Sequence, residues 1–208
     1  MYVPASFTAN DDVVRDLLTN HGAADLVTAT SEGLLATFLP FLYDPTAGEH
    51  GTLLGHLARN NTQWQREVLG DALVVVHGPD AYISPSWYAS KAEHGRVVPT
   101  WNYLTAHVYG QLVIHDDPVW VEDLVRRLTE RHEARRPEPW SVNDAPPRFV
   151  RGQLRAIVGL EVRISRVEAK AKFSQNRPAA DIDGVIAGLR AGGDLASAEA
   201  VSAARRRP

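Results

Sequence analysis

The sequence contains no cysteine. This excludes disulfides, thiolate metal sites, a cysteine nucleophile and haem held by a thiolate. Long apolar runs are also missing. Stretches such as Ala72 to Val76 are far too short to span a bilayer, and Met1-Tyr2-Val3-Pro4 does not open a basic stretch followed by an apolar one. The expectation is a cytoplasmic protein with no membrane association. Charge of either sign is scarce in excess: 22 Lys and Arg stand against 25 Asp and Glu, for a net charge of −3. Such totals do not mark a strongly basic nucleic-acid-binding surface. Familiar catalytic signatures are absent as well, including the dinucleotide glycine fingerprint, the phosphate loop, G-x-S-x-G and H-E-x-x-H. There are eight histidines, and none pair at i, i+4 on a helix. A zinc site would have to draw on distant His50, His56 and His77, and no metal spacing supports one.

What remains is an ordinary globular chain of 208 residues, 44% hydrophobic and 23% charged, long enough for one large domain or two small ones. The spacing of Val13, Val14, Leu17 and Leu18 predicts a helix over 10–20 with Gly22 as its stop. Short runs rich in branched and aromatic residues follow at 25–30, 34–43, 52–57, 72–77 and 107–115. Gly, Pro, Asp and Asn punctuate them, which suggests an antiparallel sheet or barrel. A second helix is predicted over 118–131, capped by Asp117, with Val121, Leu124, Val125 and Leu128 as its apolar stripe. Residues 135–147 hold four prolines and read as a loop. A short helix at 149–154, a long closing strand at 156–167 and a helix over 183–189 complete the pattern. No βαβ rhythm appears, so the fold class is α+β, mostly antiparallel.

Three clusters carry candidate chemistry. The first runs from Gly78 to Tyr103 and mixes Tyr82, Trp87, Tyr88, Trp101 and Tyr103 with Ser84, Ser86, Thr100 and Asn102. Flat rings with polar tips suit a planar heteroaromatic ligand or a subunit interface, and equally a loop packing on its own core. The second is Gly55-His56-Leu57-Ala58-Arg59-Asn60-Asn61, read as a strand end turning into a short helix. There a fixed cation and free backbone N–H groups can meet a phosphate. The third is Lys170-Ala171-Lys172-Phe173-Ser174-Gln175-Asn176-Arg177, whose cations and short polar side chains can surround an anion or form a solvated basic turn.

Taken in order, these words resemble one family, the PaiB-type FMN-binding negative transcriptional regulators. The resemblance begins at Met1-Tyr2-Val3-Pro4 and runs through Gly55-His56-Leu57-Ala58-Arg59-Asn60 and Ala81-Tyr82-Ile83-Ser84-Pro85-Ser86-Trp87-Tyr88. It continues in Pro99-Thr100-Trp101-Asn102-Tyr103 and His107-Val108-Tyr109-Gly110, and closes on Lys172-Phe173-Ser174-Gln175-Asn176-Arg177. It implies a flavin-binding split β-barrel over 1–192, followed by a weakly anchored Ala/Arg-rich tail at 193–208. It also implies a homodimer with the cofactor at the subunit interface. Of the residues it marks as cofactor-binding, Arg59, Lys172 and Ser174 or Gln175 would serve the FMN phosphate or ribityl chain. Trp87, Tyr88, Trp101 and Asn102 would border the ring system, with His56, Asn60, Ser84 and Asn176 completing the set. The chain departs from the family pattern at Asp80, where His is expected, and in the long insert 90–97.

Three function classes follow. A regulator would bind DNA through a basic face such as Arg126, Arg127, Arg131, Arg135 and Arg136, or through Arg205-Arg206-Arg207, although a solvated helix face is the simpler account. An enzyme would use the flavin in an oxidoreductase. Alternatively it would hold haem b in place of FMN, as in the piperazate synthases that close an N–N bond, with His56 or His107 on the iron. A flavin reservoir or sensor would bind FMN without turnover.

Overall fold

Strand alternation and helix capping account for most of the architecture. The computed structural model describes residues 1–20 and 22–206. Among these the strands are β1 (Ala24–Thr30), β2 (Gly33–Leu39), β3 (Leu42–Asp44), β4 (Thr52–Ala58), β5 (Ala72–Ile83), β6 (Thr100–His115) and β7 (Ile157–Lys172). They form one antiparallel sheet in the order β2-β1-β5-β6-β7-β4-β3. The helices are α1 (Asp11–Asn20), α2 (Ser90–His94), α3 (Pro118–Glu133), α4 (Pro147–Leu154), α5 (Ala179–Ala191) and α6 (Leu195–Arg205).

The chain divides into two compact units. One comprises 1–17, 77–106 and 168–208; the other comprises 18–76 and 107–167. Strands β5, β6 and β7 contribute residues to both. In the first unit Ala81, Ile83, Tyr88 and Phe173 pack with Ile182, Val185 and Leu189 of α5 and with Ala198 and Val201 of α6. The tail, expected to be a weakly anchored helix, forms α6 with Ser197, Ala198 and Val201 buried, and Asp194 caps it by accepting from the Ser197 N–H at 3.0 Å. Arg207 lies outside the described residues. In the second unit Leu54 packs with Leu124 and Leu128 of α3. Leu26, Val74, Leu53, Val158 and Val162 are fully buried.

Differences from the expected boundaries have local causes. The run 34–43 breaks into β2 and β3 at Pro40, which cannot donate to a ladder. β5 continues past Gly78-Pro79 to Ile83. Its pairing with β1 ends at Val75, so Pro79 removes no bond on that side. A Cβ at Gly78 would stand 2.9 Å from Leu104 Cβ, a close approach that only glycine permits without adjustment. β7 runs five residues beyond its expected end, because Ala169 and Ala171 supply a buried face that Ala-Lys repeats do not advertise. The insert 90–97 forms α2, and Gly95 closes it in the left-handed conformation, φ 66°.

α3 is capped as expected, with Asp117 accepting from the Val119 N–H at 3.0 Å. Its arginines are engaged. Arg126 pairs with Glu122 at 2.6 Å, Arg127 with Asp44 at 2.7 Å, and Arg131 donates to the Phe41 carbonyl at 2.9 Å. Asp44 is held at about 2, below its ordinary 3.8, by the Thr46 hydroxyl, then Arg127, then the Thr46 N–H.

Candidate functional site

The long strands of the first unit carry the densest chemistry. Successive side chains on a strand alternate in direction, so Trp101 and Tyr103 share one side of β6, and Lys170 and Lys172 share one side of β7. The Lys170 ammonium lies 5.4 Å from the Tyr103 ring centroid, which makes these the same side. It also lies 5.8 Å from the Tyr2 ring. Tyr82 joins them, edge-on to Trp101 with ring centroids 6.3 Å apart. Tyr82 and Trp101 are each 50% exposed. The Trp101 indole N–H donates to Asp80 at 3.0 Å, which gives the carboxylate at the position where the family expects His a defined role: it fixes the indole. The ammonium of Lys172 donates to the Thr100 hydroxyl at 2.5 Å and has no acid partner. Glu168, in the same row of β7, is paired with the Met1 amino group. The face therefore sets flat rings beside the Lys170 cation, with the Lys172 ammonium reaching to Thr100 at the strand end, residue types that a phosphate-bearing planar ligand requires.

Behind this face the strand end is fixed from within. Ser174 is buried at φ 62°, the only non-glycine residue with positive φ among those described. It exchanges hydrogen bonds with the fully buried Asn102 amide: Nδ2 donates to Ser174 Oγ at 2.9 Å, and the Ser174 hydroxyl lies 3.3 Å from Asn102 Oδ1. Gln175 turns back on its own strand, accepting from the Phe173 N–H and donating to the Ala171 carbonyl, both at 2.6 Å. Asn176 is exposed. Ser84 caps the short turn Pro85–Trp87 by accepting from the Ser86 N–H. Trp87 occupies a groove of α5 floored by Gly184 and Gly188, where a Cβ would overlap its carbonyl oxygen or its indole ring. The Tyr88 hydroxyl is buried with no hydrogen-bond partner among the described residues. Burial pushes its pKa up, opposed by Arg177, whose guanidinium carbon lies 4.7 Å from the ring centroid.

The remaining expected residues belong to the second unit. On β4, His56 is half-buried and its Nδ1 is buried without a partner; burial lowers its pKa, which favours the neutral imidazole. Arg59 is a satisfied cation. It forms a two-point bridge to Asp116 at 3.0 and 2.5 Å and donates to the carbonyls of Arg155 at 2.8 Å and Ile157 at 3.1 Å. The pair raises the arginine's pKa and lowers the carboxylate's. One N–H of five remains unused. Asn60 is exposed, and the cap of the short helix after it is Asn61, which accepts from the Gln63 N–H at 3.0 Å. His107 lies half-buried on β6. Among the described residues no group of three His, Cys, Asp or Glu side chains could hold a metal ion, and no helix is long and apolar enough to cross a membrane.

The structure thus brings Lys172 to Thr100 and Asn102 to Ser174, while His56, Arg59 and Asn60 stand in the other unit. It adds Tyr82, Tyr103 and Lys170 to the face. The signal for them was present as the two-residue spacing of Trp101 with Tyr103 and of Lys170 with Lys172.

Comparison with known proteins matches these observations. Residues 1–166 fit the family model described as "Putative FMN-binding domain". The chain is 32% identical over 192 residues to the protease synthase and sporulation protein PAI 2 of Bacillus subtilis, covering 91% of this chain and 89% of that protein. Among solved structures, a conserved hypothetical protein of Mycobacterium tuberculosis superposes with TM-score 0.56 at 12% identity, over 86% of this chain and 94% of that one. The flavocytochrome Anf3 of Azotobacter vinelandii does so with TM-score 0.53 at 13% identity, over 78% and 67%. The fold is the α+β split barrel of flavin-binding proteins that the sequence led us to expect. With a near-full-length relative, a family match over four-fifths of its length and a cationic aromatic face on its long strands, the chain belongs to the FMN-binding family of which PAI 2 is a relative.

Proposed function

We propose that this protein binds FMN on the face formed by Tyr82, Trp101, Tyr103, Lys170 and Lys172. The observation that carries this reading is the half-buried Lys172 ammonium, whose partner among the described residues is the neutral Thr100 hydroxyl, and which follows in the same row of β7 the Lys170 that lies beside the Tyr103 ring. Lys172 takes the phosphate, Lys170 adds charge, and Trp101, oriented by Asp80, offers a flat wall to the ring system. The Asn102–Ser174 pair holds the strand end that presents Lys172. Arg59, already matched by Asp116 within the other unit, is not part of this face. A second copy of the chain covers the exposed rings, giving a homodimer around the cofactor. When bound, FMN supplies one- and two-electron redox chemistry.

Transcriptional repression is the finer reading, and it rests on the family resemblance. The α3 arginines offer DNA little, since Arg126, Arg127 and Arg131 are spent on internal partners. One observation bears on haem as the competing cofactor: the His56 Nδ1 is buried without a partner among the described residues, and burial lowers the imidazole's pKa, favouring the neutral form that ligates iron. The absorption spectrum of the purified, unsupplemented protein, with mass spectrometry of the released cofactor, tests these readings. Flavin bands and FMN are expected. A Soret band, or failure to take up added FMN, overturns the proposal. Repression predicts a salt-dependent shift of operator DNA; weak, sequence-indifferent binding refutes it.

A further inference from the structure

The second unit contains a cavity of about 450 Å³ between the start of α3 and the end of α4, well within the size range of small-molecule sites. Its charged groups sort themselves cleanly. Asp116 is matched by Arg59, and Glu122 by Arg126. Two lining cations, Arg151 and Arg155, are left with no side-chain partner among the described residues. They stand four positions apart, at the end of α4 and at its cap, where like charges repel. An oxyanion bridging the two guanidinium groups removes that repulsion and accepts paired hydrogen bonds from both. The rest of the wall is apolar: Val119, Val121, Leu154 and Ile157 line it. Val121 and Leu154 are buried, whereas Val119 is 76% exposed at the rim.

We propose that this cavity binds a small organic anion with an apolar body, a carboxylate or phosphate monoester, with the charged end on Arg151 and Arg155 and the body against Val119, Val121 and Leu154. The site is separate from the aromatic face of the other unit and does not rest on the FMN proposal. It gives the protein a place for an effector distinct from its cofactor.

The test is isothermal titration of the protein as purified with phenyl phosphate, alongside inorganic phosphate and benzyl alcohol. Saturable one-site binding of phenyl phosphate is expected, with each partial probe weaker by about tenfold or more. The double variant Arg151→Gln, Arg155→Gln keeps helix-compatible side chains and is expected to weaken phenyl phosphate by about tenfold or more, with flavin content unchanged. Arg148→Gln, on the same helix but outside the cavity, is expected to change nothing. Absence of saturable binding overturns the proposal, as does unchanged affinity in the folded double variant. Displacement of phenyl phosphate by FMN, one for one, would make the cavity the flavin's own and overturn the separate site. If the protein takes up no FMN yet binds phenyl phosphate as described, the FMN proposal fails and this one stands.

Discussion

Replacing Lys172 with methionine keeps the length of the side chain and most of its packing while removing the charge. The ammonium has three donors, and the Thr100 hydroxyl takes one at 2.5 Å. Two remain for a ligand. A hydrogen bond to a charged group contributes about 1.5–3 kcal/mol, or roughly a ten- to hundredfold change in dissociation constant. Lys172 is only half-buried, so water competes and the lower part of that range is expected. The assay is quenching of flavin fluorescence as flavin-free protein is titrated, once with FMN and once with riboflavin. FMN affinity should fall by about tenfold or more in Lys172→Met, while riboflavin affinity, which has no phosphate to lose, stays unchanged. Thr100→Val, which releases the ammonium from its fixed partner, should cost FMN only a few-fold. Equal loss for both flavins would mean that Lys172 shapes the strand and does not touch phosphate. An unchanged FMN constant in a folded variant would remove Lys172 from the site altogether.

Two further outcomes concern the frame around the site. Gly184→Ala places a Cβ on the Trp87 carbonyl oxygen, so α5 must move away from the turn that carries Trp87. Overpacking of this kind costs about 1–3 kcal/mol, a drop of roughly 2–12 °C in Tm for a chain of this size, read by thermal unfolding; an unchanged Tm refutes the packing account. Asp44→Asn removes a carboxylate whose pKa is lowered from 3.8 to about 2. Because the folded value lies below the unfolded one, its contribution is present above pH 3.8 and disappears as the pH falls toward 2. The variant should therefore be less stable than the parent near neutral pH and should converge on it by about pH 2, measured by denaturant unfolding. A gap that persists undiminished at pH 2 would show that the ionised carboxylate, held by Thr46 and Arg127, is not its source.

The parts of this fold governed by short-range rules were legible in the sequence. Asp117-Pro118 announced α3, the spacing of Val13, Val14, Leu17 and Leu18 announced α1, and branched residues marked β1 and β4. Boundaries failed where tertiary packing overrode local preference. Ala-Lys alternation continued β7, and Pro79 sat in a strand because its neighbour on that side had ended. The site was legible as residue types and less so as geometry. Arg59 looked like a phosphate-binding cation until Asp116, 57 positions away, was seen to neutralise it. Tyr103 and Lys170 gained significance only once β6 and β7 were known to reach them. The same limit applies to α3: its arginines read more simply as a solvated face, and the sequence did not show that Arg127 reaches Asp44 and Arg131 reaches the Phe41 carbonyl.

The contrasting positions of two tryptophans give the molecule built-in optical reporters. Trp101 stands half in solvent on the proposed cofactor face, with its ring nitrogen held by Asp80, whereas Trp87 is wedged among the glycines of α5. Emission from Trp101 should be quenched by energy transfer when a yellow chromophore docks beside it, and emission from Trp87 should shift only when its helix lets go. A pair of single-tryptophan proteins would then distinguish cofactor loading from loss of structure in one cuvette, without labels.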